Sequence, residues 1–117
     1  MRILAACLLL ASCHARQFPS DRLPRTPASE LYGELRETDQ KAQSLAAAPS
    51  PDCARQCDLT ARICELSARI CALQEKYPED ERIPGLCADG TARCDRARER
   101  VRDSCACALA PGGSRGN

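Results

Sequence analysis

Residues 57–77 read CDLTARICELSARICALQEKY, in which a seven-residue unit that begins with cysteine occurs three times. The repeat places Cys57, Cys64 and Cys71 one heptad apart in a run of good helix formers. At about 100° per residue, these cysteines lie within a roughly 40° arc of one helix face. The repeat therefore predicts a helix that presents a stripe of cysteines to a neighbouring element.

A second predicted helix, about residues 86–106, has the same spacing between Cys87 and Cys94. Pro78 separates the two helices, because proline ends a helix at the residue before it. In an antiparallel hairpin, the residue numbers of facing positions add up to a constant. The two pairs that share one sum, and that we predict as disulfides, are Cys71–Cys87 and Cys64–Cys94.

The pairing of the four outer cysteines stays open on spacing alone. In the nested arrangement, Cys57 pairs with Cys105 and Cys53 with Cys107. Their residue numbers add up to slightly more than those of the inner pairs, which corresponds to a slip in register of one helical turn or less. The alternative joins Cys53 to Cys105 and keeps that sum, but it leaves Cys57 opposite Cys107. We favour the nested arrangement.

The hairpin is expected to be part of an all-α, three-helix domain that covers residues 27–107. Thr26-Pro27 is a favourable helix start, and Leu31, Leu35, Thr38, Ala42 and Leu45 follow it at helical spacing. The predicted helices are about 27–47, 51–77 and 86–106. Residues 13–26 read as a polar tether and 108–117 as a disordered tail.

The middle helix carries a second apolar stripe, roughly 140–160° around the helix from the cysteines. A helix with two apolar faces lies between two neighbours. We expect the first helix to cover this stripe, which makes the middle helix central. The alternative is a loose first helix and a stripe that forms a partner-binding face. The stripe consists of Leu59, Ile63, Leu66, Ile70 and Leu73.

The first twelve residues have the pattern of an export signal. Arg2 precedes a short apolar run from Ile3 to Ala11, which is about half of what a bilayer span needs. The segment Leu10-Ala11-Ser12-Cys13 resembles the lipobox of bacterial lipoproteins. That resemblance implies cleavage after Ser12 and attachment of fatty acyl chains, such as palmitate, at Cys13. His14 follows the cysteine, and in this family a residue other than aspartate there implies the outer membrane rather than the inner one.

Loss of Cys7 with the signal and lipidation of Cys13 leave an even number of cysteines, as a closed disulfide framework requires. The signal and hairpin together resemble Cys-rich lipoproteins of high-GC Gram-negative bacteria such as myxobacteria, a family that implies no particular activity. The paired helices are also similar to coiled-coil-helix-coiled-coil-helix proteins, although those have nine residues between cysteines rather than six. The remaining cysteines are Cys53, Cys57, Cys64, Cys71, Cys87, Cys94, Cys105 and Cys107.

Several classes of function are disfavoured by composition. The 17 basic and 16 acidic residues nearly cancel, and aromatic residues make up 3% of the chain, so a nucleic-acid surface is not expected. His14 is the single histidine, and no motif for a nucleophile or a phosphate loop is present. We therefore expect a non-enzymatic, membrane-anchored module without a cofactor or small-molecule substrate, which binds an envelope protein or has a structural role.

The alternative function is binding of Cu(I) or another soft metal. Thiolates that line helices suit Cu(I), and the pattern resembles copper-storage bundles whose cores are lined with thiols. In that interpretation all eight cysteines from Cys53 to Cys107 are ligands rather than half-cystines.

Overall fold

The computed structural model describes residues 25–50 and 52–108, and this part of the chain contains three α-helices and no β-strand. The helices are α1 (Pro27–Ala46), α2 (Cys53–Lys76) and α3 (Ile83–Arg102). Helix α2 packs against both of the others, and its contact with α3 is the most extensive. The predicted all-α arrangement with a central middle helix is confirmed.

Helix α1 begins where the sequence predicts, because Thr26 and Ser29 form a reciprocal cap. The Ser29 N–H donates to Thr26 Oγ1 at 3.2 Å, and the Thr26 N–H donates to Ser29 Oγ at 2.8 Å. Pro27 occupies the first turn, where its missing N–H is not needed. These contacts satisfy N–H groups that a helix start leaves without partners.

Helix α2 begins later than predicted. Asp52 caps it, and the Asp52 carboxylate accepts a hydrogen bond from the Arg55 N–H at 3.1 Å. A carboxylate is a good N-cap because it also faces the positive end of the helix dipole. The helix ends at Lys76, just before Pro78, as expected.

Helix α3 is shifted toward the N-terminus relative to the prediction. It begins at Ile83 because Pro84 is accommodated inside the first turn, and it ends at Arg102 rather than near residue 106. Cys105 and Cys107 therefore lie beyond the helix. This displacement decides how the outer cysteines pair.

Aliphatic side chains from α1 and α2 form most of the core. Leu35 of α1 packs with Leu66 and Ile70 of α2, and Ala42 of α1 packs near Ile63. The three α2 side chains, Ile63, Leu66 and Ile70, have 0% exposed surface.

The expected cover of the second apolar stripe of α2 by α1 is confirmed for its three central residues, so the alternative of a partner-binding face does not apply to them. The two end positions of that stripe, Leu59 and Leu73, are half-buried.

Gly90 of α3 lies where side chains from both α1 and α2 come close to its backbone. A Cβ atom at this position would lie 3.1 Å from Ser67 Oγ of α2 and 3.3 Å from Leu35 Cδ1 of α1. Gly33, in contrast, has no atom within 4 Å of the corresponding position. A side chain larger than methyl at Gly90 would force the helices apart.

We expect Gly90→Leu to lower the free energy of unfolding by about 2 kcal/mol or more, because overpacking a close contact displaces its neighbours. Gly33→Leu is the matched control and should be neutral or stabilising by up to about 1 kcal/mol, since leucine is the better helix former. Urea unfolding of both oxidised variants measures the difference. Equal effects at the two glycines would contradict the packing described here.

Candidate functional site

Four disulfides join α2 to α3 and to the segment that follows it. The two disulfides nearest the connection between α2 and α3 are Cys71–Cys87 and Cys64–Cys94, and the Cα–Cα distance is 4.7 Å in each. These are the pairs that the heptad register predicts. Both lie inside regular helices, where the assumption of a constant sum of residue numbers holds.

The two outer disulfides differ from the predicted nested arrangement. Cys53 is bonded to Cys105 and Cys57 to Cys107, with Cα–Cα distances of 5.4 and 5.5 Å. The predicted Cys57–Cys105 and Cys53–Cys107 bridges are therefore wrong. The observed pairs are the stated alternative. Cys53–Cys105 keeps the sum of the inner pairs, because the Cys105 N–H still donates to the Val101 carbonyl at 2.8 Å, as in a helix. Cys107 leaves the helical path in a three-residue turn, in which its N–H donates to the Cys105 carbonyl at 3.1 Å.

The bridges also bear on the Cu(I) alternative. All eight cysteines from Cys53 to Cys107 are half-cystines in this structure, so none of them is a free thiolate ligand. Between residues 25 and 108, residue 51 aside, no group of three or more histidine, cysteine, aspartate or glutamate side chains is placed to hold a metal ion. A metal site that uses all eight of these cysteines as ligands is not supported.

A buried ion network, which we did not expect from the sequence, joins α1 to α3. Asp39 is 1% exposed. Its carboxylate accepts hydrogen bonds from Arg93 Nη1 at 2.8 Å, Arg100 Nη2 at 2.9 Å and Gln43 Nε2 at 3.0 Å. Both carboxylate oxygens therefore have charged donors, which is what a buried carboxylate needs.

The network continues from Arg93 to the surface. Arg93 Nε donates to Asp89 Oδ2 at 2.7 Å, and the Tyr32 hydroxyl donates to the same oxygen at 2.7 Å. Arg93 thus contacts two carboxylates at once. On α1, Tyr32 is tied to α3 through Asp89, and Asp39 is tied to it through Arg93 and Arg100.

The environment shifts the pKa of each acid in the network. Burial raises the pKa of Asp39, but the hydrogen bonds from Arg100 and Arg93 outweigh burial and hold it below its usual value. Hydrogen bonds from Arg93 and Tyr32 lower the pKa of Asp89. Burial, together with the Asp89 carboxylate, raises the pKa of Tyr32. Both carboxylates are therefore ionised at neutral pH and act as fixed negative partners for the arginines.

No protein-family model, curated protein or solved structure matches this chain.

Two open grooves flank α1. One of about 420 Å³ lies above the ion network and is lined by polar side chains that include Arg36, Asp39 and Arg93. The other, of about 500 Å³, lies between the second half of α1 and the start of α2, where Leu45, Leu59 and Arg55 line it. Leu59, at one end of the second apolar stripe of α2, therefore borders an open groove.

The predicted lipid site lies outside the described residues, as do the export signal, most of the tether and most of the tail. Cys13 and the Leu10–Cys13 lipobox therefore stay sequence predictions. In the described part of the chain, no helix is both long enough and apolar enough to cross a bilayer.

The network predicts a specific acid response. A carboxylate whose pKa is lowered by folding stabilises the protein above the pKa of the unfolded chain, about 4 for aspartate, and this stabilisation is lost as the pH falls through the folded value. Because Asp39 and Asp89 are both lowered, the urea midpoint of the oxidised protein should be nearly constant from about pH 5 to 8 and should fall below about pH 4.

Asp39→Asn should reduce this fall, because the amide does not titrate. Asp95→Asn, at an exposed position of α3, should show the same decrease of the urea midpoint at low pH as the parent protein. Urea midpoints measured at a series of pH values test both expectations. The network would not be the source of the acid response if the two variants followed the same curve.

Proposed function

We propose that this protein is a lipid-anchored, non-enzymatic module of the bacterial envelope, most consistent with the outer membrane. Its disulfide-stapled helices would bind another envelope protein or serve a structural role. The observation that carries this proposal is that all eight cysteines of the described domain are used in four bridges.

Complete pairing supports an oxidising compartment, because structural disulfides form and persist outside the cytosol. It also supports the separate role of the two remaining cysteines. Cys7 and Cys13 lie in the predicted signal and lipobox, and the domain needs neither of them to close its framework. Cys13 is therefore available for a thioether-linked diacylglyceryl group, and two or more acyl chains give stable membrane anchoring.

A non-enzymatic role is supported by how the charged side chains are used. The most deeply buried acid, Asp39, is saturated by two arginines and a glutamine. Asp89 accepts from Arg93 and Tyr32 in the same way. These groups hold α1 on the hairpin, which leaves them poorly placed to exchange protons with a substrate.

The experiment expresses the full chain in a Gram-negative host that is fed an alkyne analogue of palmitate. We expect label on the parent protein and on Cys7→Ser, and no label on Cys13→Ser, because Cys13 follows the apolar run of the signal, whereas almost no apolar run precedes Cys7. The labelled protein should fractionate with the outer membrane. Label that persists in Cys13→Ser would reject the anchor.

The same material tests the oxidising location. Intact mass before and after reduction should differ by the eight hydrogens of four bridges, and alkylation should require prior reduction. Free thiols on the protein isolated from the envelope would contradict the proposed compartment.

A further inference from the structure

The disulfides divide the three helices into two parts. All four join α2 to α3 or to the segment that follows α3, and none of the four reaches α1. Within the described residues, α1 is covalently linked to the rest only through the backbone that leads from Ala46 to Cys53. The hairpin of α2 and α3 therefore keeps its covalent framework if α1 leaves, whereas α1 is held by side-chain contacts alone.

The contact between α1 and α3 depends on one carboxylate. Asp39 is 1% exposed and accepts hydrogen bonds from Arg93 Nη1 at 2.8 Å and Arg100 Nη2 at 2.9 Å. Burial raises the pKa of Asp39, but the hydrogen bonds from these arginines lower it by more. Docked α1 therefore needs Asp39 in its ionised form.

The other charges around Asp39 do not replace this contact. From α2, the charged side chain that pairs with α1 is Arg62, whose Nε donates to Glu34 at 3.2 Å. On α1 itself, Arg36 and Glu37 are exposed and border the groove above Asp39. The charges that hold the Asp39 carboxylate thus come from α3.

Asp89 of α3 contributes in the same direction, but less. Its pKa is lowered by hydrogen bonds from Arg93 and Tyr32, and Arg96 is a further positive charge near it. Arg93 and Arg96 belong to α3 as well, so only the bond from Tyr32 is lost when α1 leaves. Asp39 is therefore the group whose protonation has the larger effect on docking.

We propose that α1 is an acid-released strap: when Asp39 is protonated, α1 undocks as a unit, while α2 and α3 stay joined by the four disulfides. At neutral pH the apolar contact of Leu35 with Leu66 and Ile70 helps to keep α1 docked, because exposing these side chains to water is unfavourable. A carboxyl whose pKa is lowered by docking binds protons more readily in the undocked state, so docking weakens as the pH falls below about 4.

Release changes how far the hairpin can lie from its anchor, and this consequence alone rests on the proposed function. The predicted tether joins Cys13 to Thr26, where α1 begins. A single helix of this length is marginal in water, so a released α1 unfolds. The chain that separates the lipid from the hairpin then runs from Cys13 to Cys53, and its maximum length increases from about 45 Å to about 135 Å.

The test compares backbone hydrogen exchange in α1 with that in α2 and α3. It uses the oxidised full chain with Cys7→Ser and Cys13→Ser, which cannot be acylated, so the result does not depend on the anchor. Mass spectrometry gives the protection of each helix at pH 6 and pH 3, after correction for the intrinsic rate at each pH. We expect the protection of α1, relative to that of α2 and α3, to fall about 10-fold or more, which corresponds to a pKa difference of about one unit.

Matched variants identify the responsible group. Asp39→Asn does not titrate, so its α1 should be less protected already at pH 6, and the ratio to the hairpin should change less than about 3-fold at pH 3. Asp95→Asn, at an exposed position of α3, should follow the parent. The proposal is overturned if α1 and the hairpin of the parent lose protection together, if their ratio does not change with pH, or if Asp39→Asn keeps the pH dependence of the parent.

Discussion

Reduction of the four disulfides in the presence of a metal chelator is expected to remove most of the helical structure. The bridges join cysteines that are 52, 50, 30 and 16 residues apart. In the loop-entropy model one such closure contributes about 3 kcal/mol, and further closures of a chain that is already cross-linked add less each. Their sum is about 10 kcal/mol, which is comparable with the whole stability of a typical domain. The apolar core is too small to replace it, because only five large aliphatic side chains are fully buried among the described residues.

Far-ultraviolet circular dichroism of the oxidised and the reduced, alkylated protein measures this effect. We expect more than half of the helical signal at 25 °C to be lost after reduction. Oxidised protein with chelator alone is the control and should keep its signal. A reduced protein that still unfolds cooperatively, with an unfolding midpoint near that of the oxidised form, would show that side-chain packing rather than the four disulfides holds the helices together.

Asp39→Ala is the single substitution for which we expect the largest loss of stability, about 3 kcal/mol. Removing one partner of a buried ion pair leaves the other charge without compensation. Here Arg100 loses its ion pair with Asp39, and Arg93 keeps only its ion pair with Asp89. The loss lies at the lower end of the range for buried pairs because the arginine side chains are 23% and 29% exposed and can reach water.

Urea unfolding of the oxidised variant measures this loss, and hydrogen exchange should show that it is concentrated in α1. Asp95→Ala, at an exposed position of α3, is the control and should change the stability by about 0.5 kcal/mol or less. An Asp39→Ala variant that matched Asp95→Ala would mean that apolar packing alone docks α1.

The hairpin was predictable because its signals are local and repeated. Cys64, Cys71, Cys87 and Cys94 lie within regular helices, so one geometric relation pairs them. Two of the outer cysteines, Cys105 and Cys107, follow the end of α3, which lies at Arg102 rather than at the predicted position near residue 106. Cys105 still follows the helical relation with Cys53, because its N–H donates to the Val101 carbonyl, whereas Cys107 leaves that path in the turn closed by the hydrogen bond from its N–H to the Cys105 carbonyl.

The ion network was not predictable in the same way. Asp39 lies four residues after Leu35 and three before Ala42, on the face of α1 that packs inward, and this placement was an available signal. Yet an acid in a polar helix usually faces solvent. Its burial depends on the rotation of α1 against α3, which places two arginines from α3 opposite it. That rotation follows from tertiary packing rather than from sequence periodicity.

The outer disulfides also have a consequence for the unfolded chain. Residues 53–57 and 105–107 form one small covalent macrocycle closed by two bridges, which fastens the first turn of α2 much as a chemical staple fastens a synthetic peptide. Starting a helix is the unfavourable step in its formation, whereas extending it is easy. While the macrocycle stays closed, fewer conformations are open to the first turn of α2 in the unfolded chain, so the entropic cost of starting this helix is smaller in the oxidised than in the reduced protein.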